Sequence, residues 1–532
     1  MELKIIGLIT AILFLISVSF FIVNSFQNQV QTQTPLQPIT TVYTQYNGTY
    51  FPYEVKVTYY PGNMSNSNLG FPSDWIVTNY NQEFESVVPT SCTYLQQGVS
   101  WELPADSFGG GTPIPLSTPA SMLPGASALG EKAALVFLTQ DVGQPLGVTL
   151  ADNLLFVEED SGPGTILAVN PISGNVVWYA TGLASMAMQD PIVWNGIVYV
   201  PVGDIGFTFT ALEHALRNES SGVYRGSVYG GIYAFNASDG QLLWMRFTFG
   251  ENMPDPVVYN GILAYATGSG CFVGLNATTG STLWITKLPG YIDSMSSLNY
   301  YVGSNGTVLF IAGFTLLKYP YGILVAVNSE NGKVVWQSQL PSTYVPFNTG
   351  MGDSPATVIQ SSGIILKDTI ANFRNGTVDT VMFAVNATNG NVLWAINLGR
   401  GYVPPAFKAS MILANGNYAY VGIPSLGSVA KVSIATGKII WETRLPDLGI
   451  PPTLPGGPRG APVYYHGLLW VAAGSHIYVL NPDSGKVITM YYVGGRFGIV
   501  DPVISGGTIF LTNSYGWVIA IPLSQIYPDW NS

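Results

Sequence analysis

Most residues of this chain that could do chemistry stand in seven short loops, each just before a short apolar segment. In chain order these loops are AMQDPIV with Asp190, NMPDPVV with Asp255, YIDSMSS with Asp293, GMGDSPA with Asp353, PAFKASM with Lys408, GPRGAPV with Arg459, and RFGIVDP with Arg496 and Asp501. Carboxylates fill the first four loops, and cations occur in the last three. Charges of both signs around one mouth can shift pKa values and hold an anion. For any single Asp, an Asx turn or a cap before Pro is the simpler interpretation.

Cys271 is the second chemical feature, in GSGCFVG at the start of a predicted strand. Asp293 follows in the next loop, so Cys271 is a candidate reactive thiol with an acid nearby to donate or accept a proton. Two simpler interpretations stay open. Cys271 is then either a small buried core residue or the disulfide partner of Cys92, which an oxidising exterior permits.

The elements that position these loops come from a repeat. A short apolar strand, then Asn, three residues, Gly, three residues and usually Trp recur seven times, as Asn170/Gly174/Trp178, Asn236/Gly240/Trp244, Asn276/Gly280/Trp284, Asn328/Gly332/Trp336, Asn386/Gly390/Trp394, Ser433/Gly437/Trp441 and Asn481/Gly485/Thr489. Each copy predicts two strands joined by a turn. Another strand pair closed by Asn-Gly or Gly-Gly lies upstream, as in VVYNGILAY. Each repeat therefore predicts four antiparallel strands.

The spacing of the copies predicts a β-propeller. Successive anchor positions lie from 40 residues (244 to 284) to 66 residues (178 to 244) apart, which suits four-stranded blades. The segment GVSWEL, residues 98–103, supplies the strand that the last repeat lacks and brings the count to eight. Pairing this early strand with the C-terminal blade closes the ring. The predicted fold class is all-β, an eight-bladed β-propeller over residues 70–525, with the repeat Trp side chains as wedges between blades.

The N-terminal segment predicts export. Ile5–Val23 is 19 residues without charge, enough at about 1.5 Å per residue to span a bilayer. Residues 1–26 are therefore a signal peptide or a membrane anchor helix, and residues 27–69 a polar linker and N-terminal extension. Eight Asn-x-Ser/Thr sequons favour a secreted or cell-surface glycoprotein, although three of them coincide with the repeat turn.

Composition indicates an acidic exterior. Only 9% of the residues are charged, with 30 acidic against 19 basic residues and a formal charge of −11. Such a surface changes little when its carboxylates are protonated, so acid unfolding by charge repulsion is muted; a neutral surface under glycans is the alternative. No basic patch for nucleic acid occurs. The three His residues lack the spacing of zinc ligands, and neither a phosphate loop nor a nucleophile elbow is found.

The Ala-Val/Phe-Asn-x3-Gly-x3-Trp signature over residues 70–525 resembles the quinoprotein-type propeller repeat. Quinoprotein alcohol dehydrogenases typically carry an adjacent Cys-Cys pair and a Glu/Asn/Asp calcium set, which this chain lacks, so we expect no cofactor and no metal. With predicted export, acid-tolerant composition, one mouth-facing Cys and a half-cationic funnel, the whole pattern resembles the tetrathionate hydrolases of acidophilic sulfur oxidisers. That resemblance implies hydrolysis of tetrathionate to thiosulfate, sulfate and sulfur outside the cell.

On this hypothesis each candidate site residue takes a role. Lys408, Arg459 and Arg496 hold the two sulfonate groups of the substrate. Asp293 delivers or activates water, Cys271 receives or steadies the sulfane sulfur, and Asp353 is the reserve acid. The alternative functions are a quinone-dependent dehydrogenase and a non-catalytic cell-surface scaffold.

The expected partners follow from the same hypothesis. The ligand is a small anionic sulfur compound, nucleic acid is not a partner, and the membrane is contacted only through the N-terminal segment. The insertion Gly203 to Tyr229 overhangs the predicted mouth and contains FTALEHALR, which has helical spacing. Packing is its simplest role, with a lid or a homodimer contact as alternatives.

Overall fold

The computed structural model describes residues 37–64, 69, 95–123, 126–130, 145–159, 164–183, 190–203, 229–250, 252, 254–288, 291–292, 296–315, 322–339, 348–349, 355–372, 377–401, 410–449, 457–497 and 501–531. Several predicted features lie outside the described residues: the segment 1–26, Cys92, residues 204–228 of the insertion, Asp293, Asp353 and Lys408. Within the described part of the chain, no helix is long and apolar enough to cross a membrane.

Eight antiparallel β-sheets form the blades of a propeller, so the predicted fold class is confirmed. We number the blades 1 to 8 in chain order, beginning at residue 145. The first strands of neighbouring blades contact one another around the ring, which places them at the centre. Later strands of each blade lie progressively nearer the rim.

Blade 1 has six strands because the N-terminal extension adds a hairpin to its outer edge. From rim to centre the order is Ile39–Tyr46, Thr49–Tyr59, Val176–Thr181, Thr165–Val169, Leu154–Glu159 and Pro145–Ala151. Lys56 to Tyr59 pair with Thr181 to Trp178. The hairpin covers the blade edge that the repeat alone would leave open.

Blades 2 to 4 follow the predicted order of strands. Their strands are Ile192–Trp194, Ile197–Val202, Tyr229–Asn236 and Leu242–Phe249 in blade 2; Val257–Tyr259, Ile262–Ala266, Cys271–Asn276 and Thr282–Lys287 in blade 3; and Tyr291–Ile292, Asn299–Val302, Val308–Thr315, Gly322–Asn328 and Val334–Gln339 in blade 4. In blade 4 the two short segments both pair with the strand Val308–Thr315. The blade therefore keeps four layers from centre to rim.

Blades 5 to 7 show one departure from the four-strand expectation. Their strands are Asn348–Thr349, Thr357–Ile359, Ile364–Asn372, Val378–Asn386 and Val392–Gly401 in blade 5; Ile412–Asn415, Tyr418–Ile423, Ser428–Ser433 and Ile439–Arg444 in blade 6; and Val463–Tyr465, Leu468–Leu480 and Val487–Phe497 in blade 7. The 13-residue strand Leu468–Leu480 pairs with the first strand through one half and with the last strand through the other. It covers the positions of both middle strands, since no loop separates them.

Blade 8 is assembled from both ends of the chain. Its strands Val503–Ser505, Thr508–Asn513 and Trp517–Pro522 are joined by Trp101–Leu103, in the register Trp101↔Ala520 and Leu103↔Val518. The strand from residue 101 thus supplies the fourth layer and closes the ring. Short helices flank the closure at Asp106–Gly109, Ala126–Leu129 and Leu523–Ile526, with a 3₁₀ turn at Ala120–Met122.

The repeat motif builds the joints between blades. The indole nitrogen of Trp178 donates to the carbonyl of Ala237 in the next blade at 2.8 Å, and its ring lies over Gly240. The same pair of contacts joins Trp101 to Gly174, Trp244 to Gly280, Trp284 to Gly332, Trp336 to Gly390, Trp394 to Gly437 and Trp441 to Gly485. The prediction that the repeat Trp residues are wedges between blades is confirmed. The motif Gly faces the wedge from the preceding blade.

The motif Asn shapes the turn that presents this Gly. In the second copy the Asn236 side-chain oxygen accepts the amide of Ser238 at 2.9 Å, and the Gly240 amide donates to the Asn236 carbonyl at 2.9 Å. Gly240 has φ of 74°, a conformation that glycine adopts without strain. The seventh copy has Thr489 in place of Trp, and the joint between blades 7 and 8 is packed instead by Trp470, Ile504, Leu523 and Ile526.

Candidate active site

The entrances to the innermost strands form a belt around the channel. The Thr149 hydroxyl donates to the Pro191 carbonyl at 2.6 Å, and the Thr357 hydroxyl donates to the Ile412 carbonyl at 2.9 Å. Asn299 donates to the carbonyl of Ala356 at 3.0 Å. Each of these bonds joins one blade to the next, so the described entrances to the innermost strands are fixed around a single axis.

Three carboxyl groups of this belt come together across the ring. Asp190, Asp255 and Asp501, from the entrances to blades 2, 3 and 8, are all buried. Burial raises the pKa of Asp190 well above its usual range, and the charges of Asp501 and Asp255 raise this pKa further. Like charges in a low-dielectric site disfavour ionisation, so the surroundings of Asp190 favour its protonated form.

Asp501 shows the same effect of burial. Its pKa is raised to about 7 by burial, against the opposing effect of the Ala461 amide, which donates to it at 2.5 Å. Asp255 is held by the Ser297 hydroxyl, which donates to its carboxylate at 2.9 Å and accepts its amide at 3.2 Å. Asp255 and Asp501 therefore stabilise the belt through these hydrogen bonds.

The predicted cations of the described region both belong to blade 7. Arg459 lies before the first strand of the blade and Arg496 near the end of its last strand, and they are 3% and 0% exposed. The Arg459 carbonyl accepts the Met411 amide at 2.9 Å, which ties it to blade 6. Burial raises the pKa of Tyr515 to about 12 and the Arg496 charge lowers it, so this guanidinium lies close to the phenol. A guanidinium stays protonated even when buried.

Cys271 is the first residue of the third strand of blade 3, directly after the tight turn that follows the second strand. It is a free, half-buried thiol, and the Ser269 hydroxyl donates to its sulfur at 3.7 Å. Lys287, its partner across the strand pair, donates through Nζ to the Ser269 carbonyl. Burial raises the pKa of Tyr265, and the Cys271 charge adds to this rise. The thiol therefore has a hydroxyl, an ammonium and a phenol in its surroundings.

The Cys271 turn lies beside the chain that enters blade 3. A Cβ built on Gly250 would lie 2.5 Å from the Ser269 amide nitrogen, so the two segments are in close contact. Asn252, on the same entering segment, is fully buried and donates to the Gly231 carbonyl at 3.1 Å. The structure thus brings the thiol turn against the segment that leads to Asp255.

Sequence reasoning missed a further charged pair. Lys367 and Asp368 are fully buried in the strand Ile364–Asn372 of blade 5, and the Asp368 carboxylate accepts the Ser410 amide at 2.8 Å at the entrance to blade 6. Glu158 and Glu159 occupy the matching strand of blade 1 and are also fully buried. The signal was present in LLFVEE and IILKDT, since adjacent charges inside an apolar strand are rarely buried without a role.

No group of three or more His, Cys, Asp and Glu side chains in the described part of the chain is placed to hold a metal ion.

A repeat propeller with buried carboxyl groups at the entrances to its innermost strands is the class that fold and site define. A family model described as outer membrane protein assembly factor BamB matches residues 214–395 and 376–531. The solved structure of Saccharomyces cerevisiae Sqt1 is similar in fold alone, with a TM-score of 0.51 at 12% identity over 72% of this chain and 97% of that one.

Two curated relatives carry a more specific name. The tetrathionate hydrolase of Acidianus ambivalens is 56% identical over 93% of this chain and 92% of its own length. The tetrathionate hydrolase of Acidithiobacillus ferrooxidans is 34% identical over 86% of this chain and 87% of its own. The chain belongs to the tetrathionate hydrolase family.

Proposed function

We propose that this protein hydrolyses tetrathionate to thiosulfate, sulfate and sulfur in an acidic extracytoplasmic setting. The observation that carries the proposal is the 56% identity to a tetrathionate hydrolase over 93% of the chain. One water and one tetrathionate dianion balance one thiosulfate, one sulfate, one sulfur atom and two protons. The reaction thus needs a site that binds a dianion, positions water and releases acid.

The electrostatics of the described residues support binding of a dianion in acid. Asp190 and Asp501 have pKa values raised by burial, so in acid they are protonated and carry no charge. Arg459 and Arg496 stay positive at any pH. The field at the mouth is then set by the arginines, whereas ionised carboxyls near neutrality would oppose an anion.

The site residues keep the roles suggested by the sequence. Arg459 and Arg496 hold the sulfonate groups together with Lys408, and the Cys271 thiol contacts the sulfane sulfur. Asp293 positions water with Asp353 as the reserve acid; these two and Lys408 rest on the sequence pattern alone. The half-buried position of Cys271 next to the entrance of blade 3 supports its place at the mouth.

The deciding experiment measures thiosulfate released from tetrathionate by the purified protein in acidic buffer, with and without added quinone and calcium. Release that is independent of both additions is the expected result. Reduction of a dye acceptor only in the presence of quinone would indicate a dehydrogenase instead. Absence of both activities in folded protein would indicate a scaffold.

Export and self-association complete the proposal. The apolar segment Ile5–Val23 and the sequons support secretion or attachment at the cell surface. Mass analysis of protein from the native host would show whether residues 1–26 are retained and whether the sequons carry glycans. Light scattering of the same sample tests for a homodimer.

A further inference from the structure

The sequons of the described residues fall into distinct structural groups. Six of the eight Asn-x-Ser/Thr sequences lie in the described part of the chain, at Asn47, Asn63, Asn236, Asn276, Asn305 and Asn386, whereas Asn218 and Asn375 lie outside it. Asn236, Asn276 and Asn386 are the motif Asn of a blade turn. Asn47 and Asn305 lie instead in turns that the joints between blades do not use. The fold therefore places similar short sequences in different surroundings.

The middle residue of each motif sequon is part of a joint between blades. It is a buried alanine in all three copies, Ala237, Ala277 and Ala387. The Ala277 carbonyl accepts the Trp244 indole at 2.9 Å, and the Ala277 amide donates to the Gly261 carbonyl at 2.8 Å. The Asn276 side-chain oxygen accepts the Thr279 amide at 2.9 Å. A modifying enzyme would have to open the joint before it could bind this sequon.

The sequon at Asn63 is held by a neighbouring segment. The Asn63 Nδ2 donates to the Val176 carbonyl at 2.7 Å, and the Asn63 carbonyl accepts the Asn170 side chain at 3.0 Å. The next residue, Met64, packs against the hydrophobic core that includes blade 1. The nitrogen atom that would carry a sugar is therefore already engaged in a contact with blade 1.

Asn47 lies in an exposed turn. With Gly48 it forms the two-residue turn of the hairpin that covers blade 1, and the two residues have φ of 47° and 79°. Nothing lies within 4 Å of a Cβ built on Gly48, the middle residue of the sequon. The space around this sequon is therefore open to an enzyme and to the sugar that it transfers.

Asn305 lies in a second exposed turn, within blade 4. Its side-chain oxygen accepts the Thr307 amide at 3.0 Å, and the Gly303 amide donates to the Thr307 carbonyl at 2.8 Å. Nothing lies within 4 Å of a Cβ built on Gly306, the middle residue of this sequon. These bonds all lie within the turn itself. Local opening of an exposed turn requires far less free energy than opening of a packed joint.

We propose that Asn47 and Asn305 carry N-linked glycans and that the four other described sequons do not. These glycans depend on the export proposed above, which brings the chain to its sugar donor, a lipid-phosphate-linked oligosaccharide. In the transfer, the asparagine Nδ2 forms a bond to C1 of the first sugar and releases one proton. The bond between C1 and the phosphate oxygen breaks, and the lipid phosphate leaves with the electron pair. Each transfer places a bulky, hydrated group on the surface.

The glycan at Asn47 also protects an open sheet edge. Ile39–Tyr46 is the outermost described strand of blade 1 and contains no charged residue and no Pro. Ile39 is 56% exposed and Val42 is 49% exposed. An uncharged exposed edge of this kind pairs readily with a strand of another molecule. An oligosaccharide at the end of the strand excludes such a partner by its volume.

The test is intact glycopeptide mass spectrometry of the full-length protein purified from its native host. The glycosylated fraction at Asn47 and Asn305 should exceed that at the motif sequons by at least about 10-fold, because the joints open more rarely than the turns. A short synthetic peptide containing Asn276-Ala-Thr lacks the fold, so host membranes that contain the sugar donor should glycosylate it. Refusal of this peptide would assign the selection to the local sequence and overturn the role of the fold.

Two variants remove the proposed sites without adding charge. Asn47→Gly and Asn305→Gly should each lower the mass of the protein by one glycan, and glycine accepts the positive φ of residue 47 without strain. Thr278→Ala, an exposed change that deletes the Asn276 sequon, is the matched control and should leave the glycan mass unchanged. Asn47→Gly should also scatter more light at high protein concentration than Asn305→Gly. Equal scattering would overturn the protection of the edge strand.

Two results would overturn the assignment of the glycans. One is absence of glycan at Asn47 and Asn305, and the other is equal glycosylation of the motif sequons. Thiosulfate release is measured on the same sample. A protein that hydrolyses tetrathionate without either glycan contradicts the glycan sites alone, whereas a glycosylated protein without hydrolysis contradicts the proposed function alone. Because the wild-type map can contradict the assignment, failure of one variant to fold leaves the test intact.

Discussion

The indole ring of Trp101 covers Gly174 so closely that a Cβ on Gly174 would lie 2.7 Å from its Cδ2 atom. The two residues are 73 positions apart (174 minus 101), yet they form the same joint that unites neighbouring repeats elsewhere in the ring. The closure between blades 8 and 1 is thus built like an internal joint, although its wedge comes from the early strand. The first prediction tests this contact.

Gly174→Ala should destabilise the propeller more than a change of backbone conformation alone explains. Gly174 and Gly196 both have φ of 72°, but nothing lies within 4 Å of a Cβ on Gly196. Gly196→Ala should therefore lower the free energy of unfolding by about 1–2 kcal/mol, and Gly174→Ala by a further 1–3 kcal/mol, roughly, from overpacking. Urea unfolding of both variants measures the difference. Equal losses would contradict the steric role of the joint.

Trp336→Phe tests the hydrogen bond of a joint apart from its packing. The substitution keeps an aromatic ring near Gly390 but removes the donor to the Ala387 carbonyl, which is bonded at 2.9 Å. A buried bond of this kind contributes about 1 kcal/mol, and an acceptor left without it adds to the loss. Trp194→Phe, at a half-buried position outside the joints, is the control. If both variants unfold at the same urea concentration, the indole bond contributes nothing measurable.

Stability should fall as pH rises from acid to neutral. The pKa of Asp501 is raised to about 7 and that of Asp190 is raised as well. An acid whose pKa is higher in the folded state stabilises that state fully below its unfolded-state pKa, near 4. This stabilisation is lost as pH rises through the folded-state pKa, which is about 7 for Asp501. The expected loss in the free energy of unfolding is on the order of a few kcal/mol. Asp501→Asn should flatten the profile of unfolding against pH, and a wild type most stable at neutral pH would refute the idea.

Arg459→Gln should weaken tetrathionate binding. If the buried guanidinium holds a sulfonate group, its loss should raise KM by about 10-fold or more, with a smaller effect on kcat. Arg400→Gln is the control because Arg400 is largely exposed and paired with Asp379 at the rim. Steady-state kinetics in acid separate the two outcomes. An unchanged KM in folded Arg459→Gln protein would remove this residue from the site.

Cys271→Ser should lower turnover of tetrathionate by about 100-fold or more if the thiol contacts the reacting sulfur. The hydroxyl is smaller and far less polarizable, but it keeps the hydrogen-bonding turn around Ser269. Ser281→Ala, an exposed change in a neighbouring turn of the same blade, is the control for handling and folding. Wild-type turnover in Cys271→Ser would leave the thiol a structural role only.

The repeat made the fold predictable because each copy contains both partners of its turn and one half of each joint. The strand at Trp101 could be assigned for the same reason, since it carries the wedge residue. The burial of Asp106 was not predictable, because it packs against Gly516, which is far away in the chain, and Asp106 does not stand in a repeat position. Lys367 and Asp368 were missed because the apolar pattern of a strand predicts only that its charged residues are buried. It does not predict that Asp368 contacts the Ser410 amide in the loop that enters blade 6.

The joint also bears on how such a ring gains or loses blades during evolution. Every copy of the motif except the seventh, which ends in Thr489, carries both the glycine that contacts one neighbour's indole and the tryptophan that covers the next neighbour's glycine. A duplicated copy would therefore arrive with both halves of a new joint, compatible with whatever flanks the insertion. Such a chain can gain or lose whole blades, and in this protein eight blades close the ring.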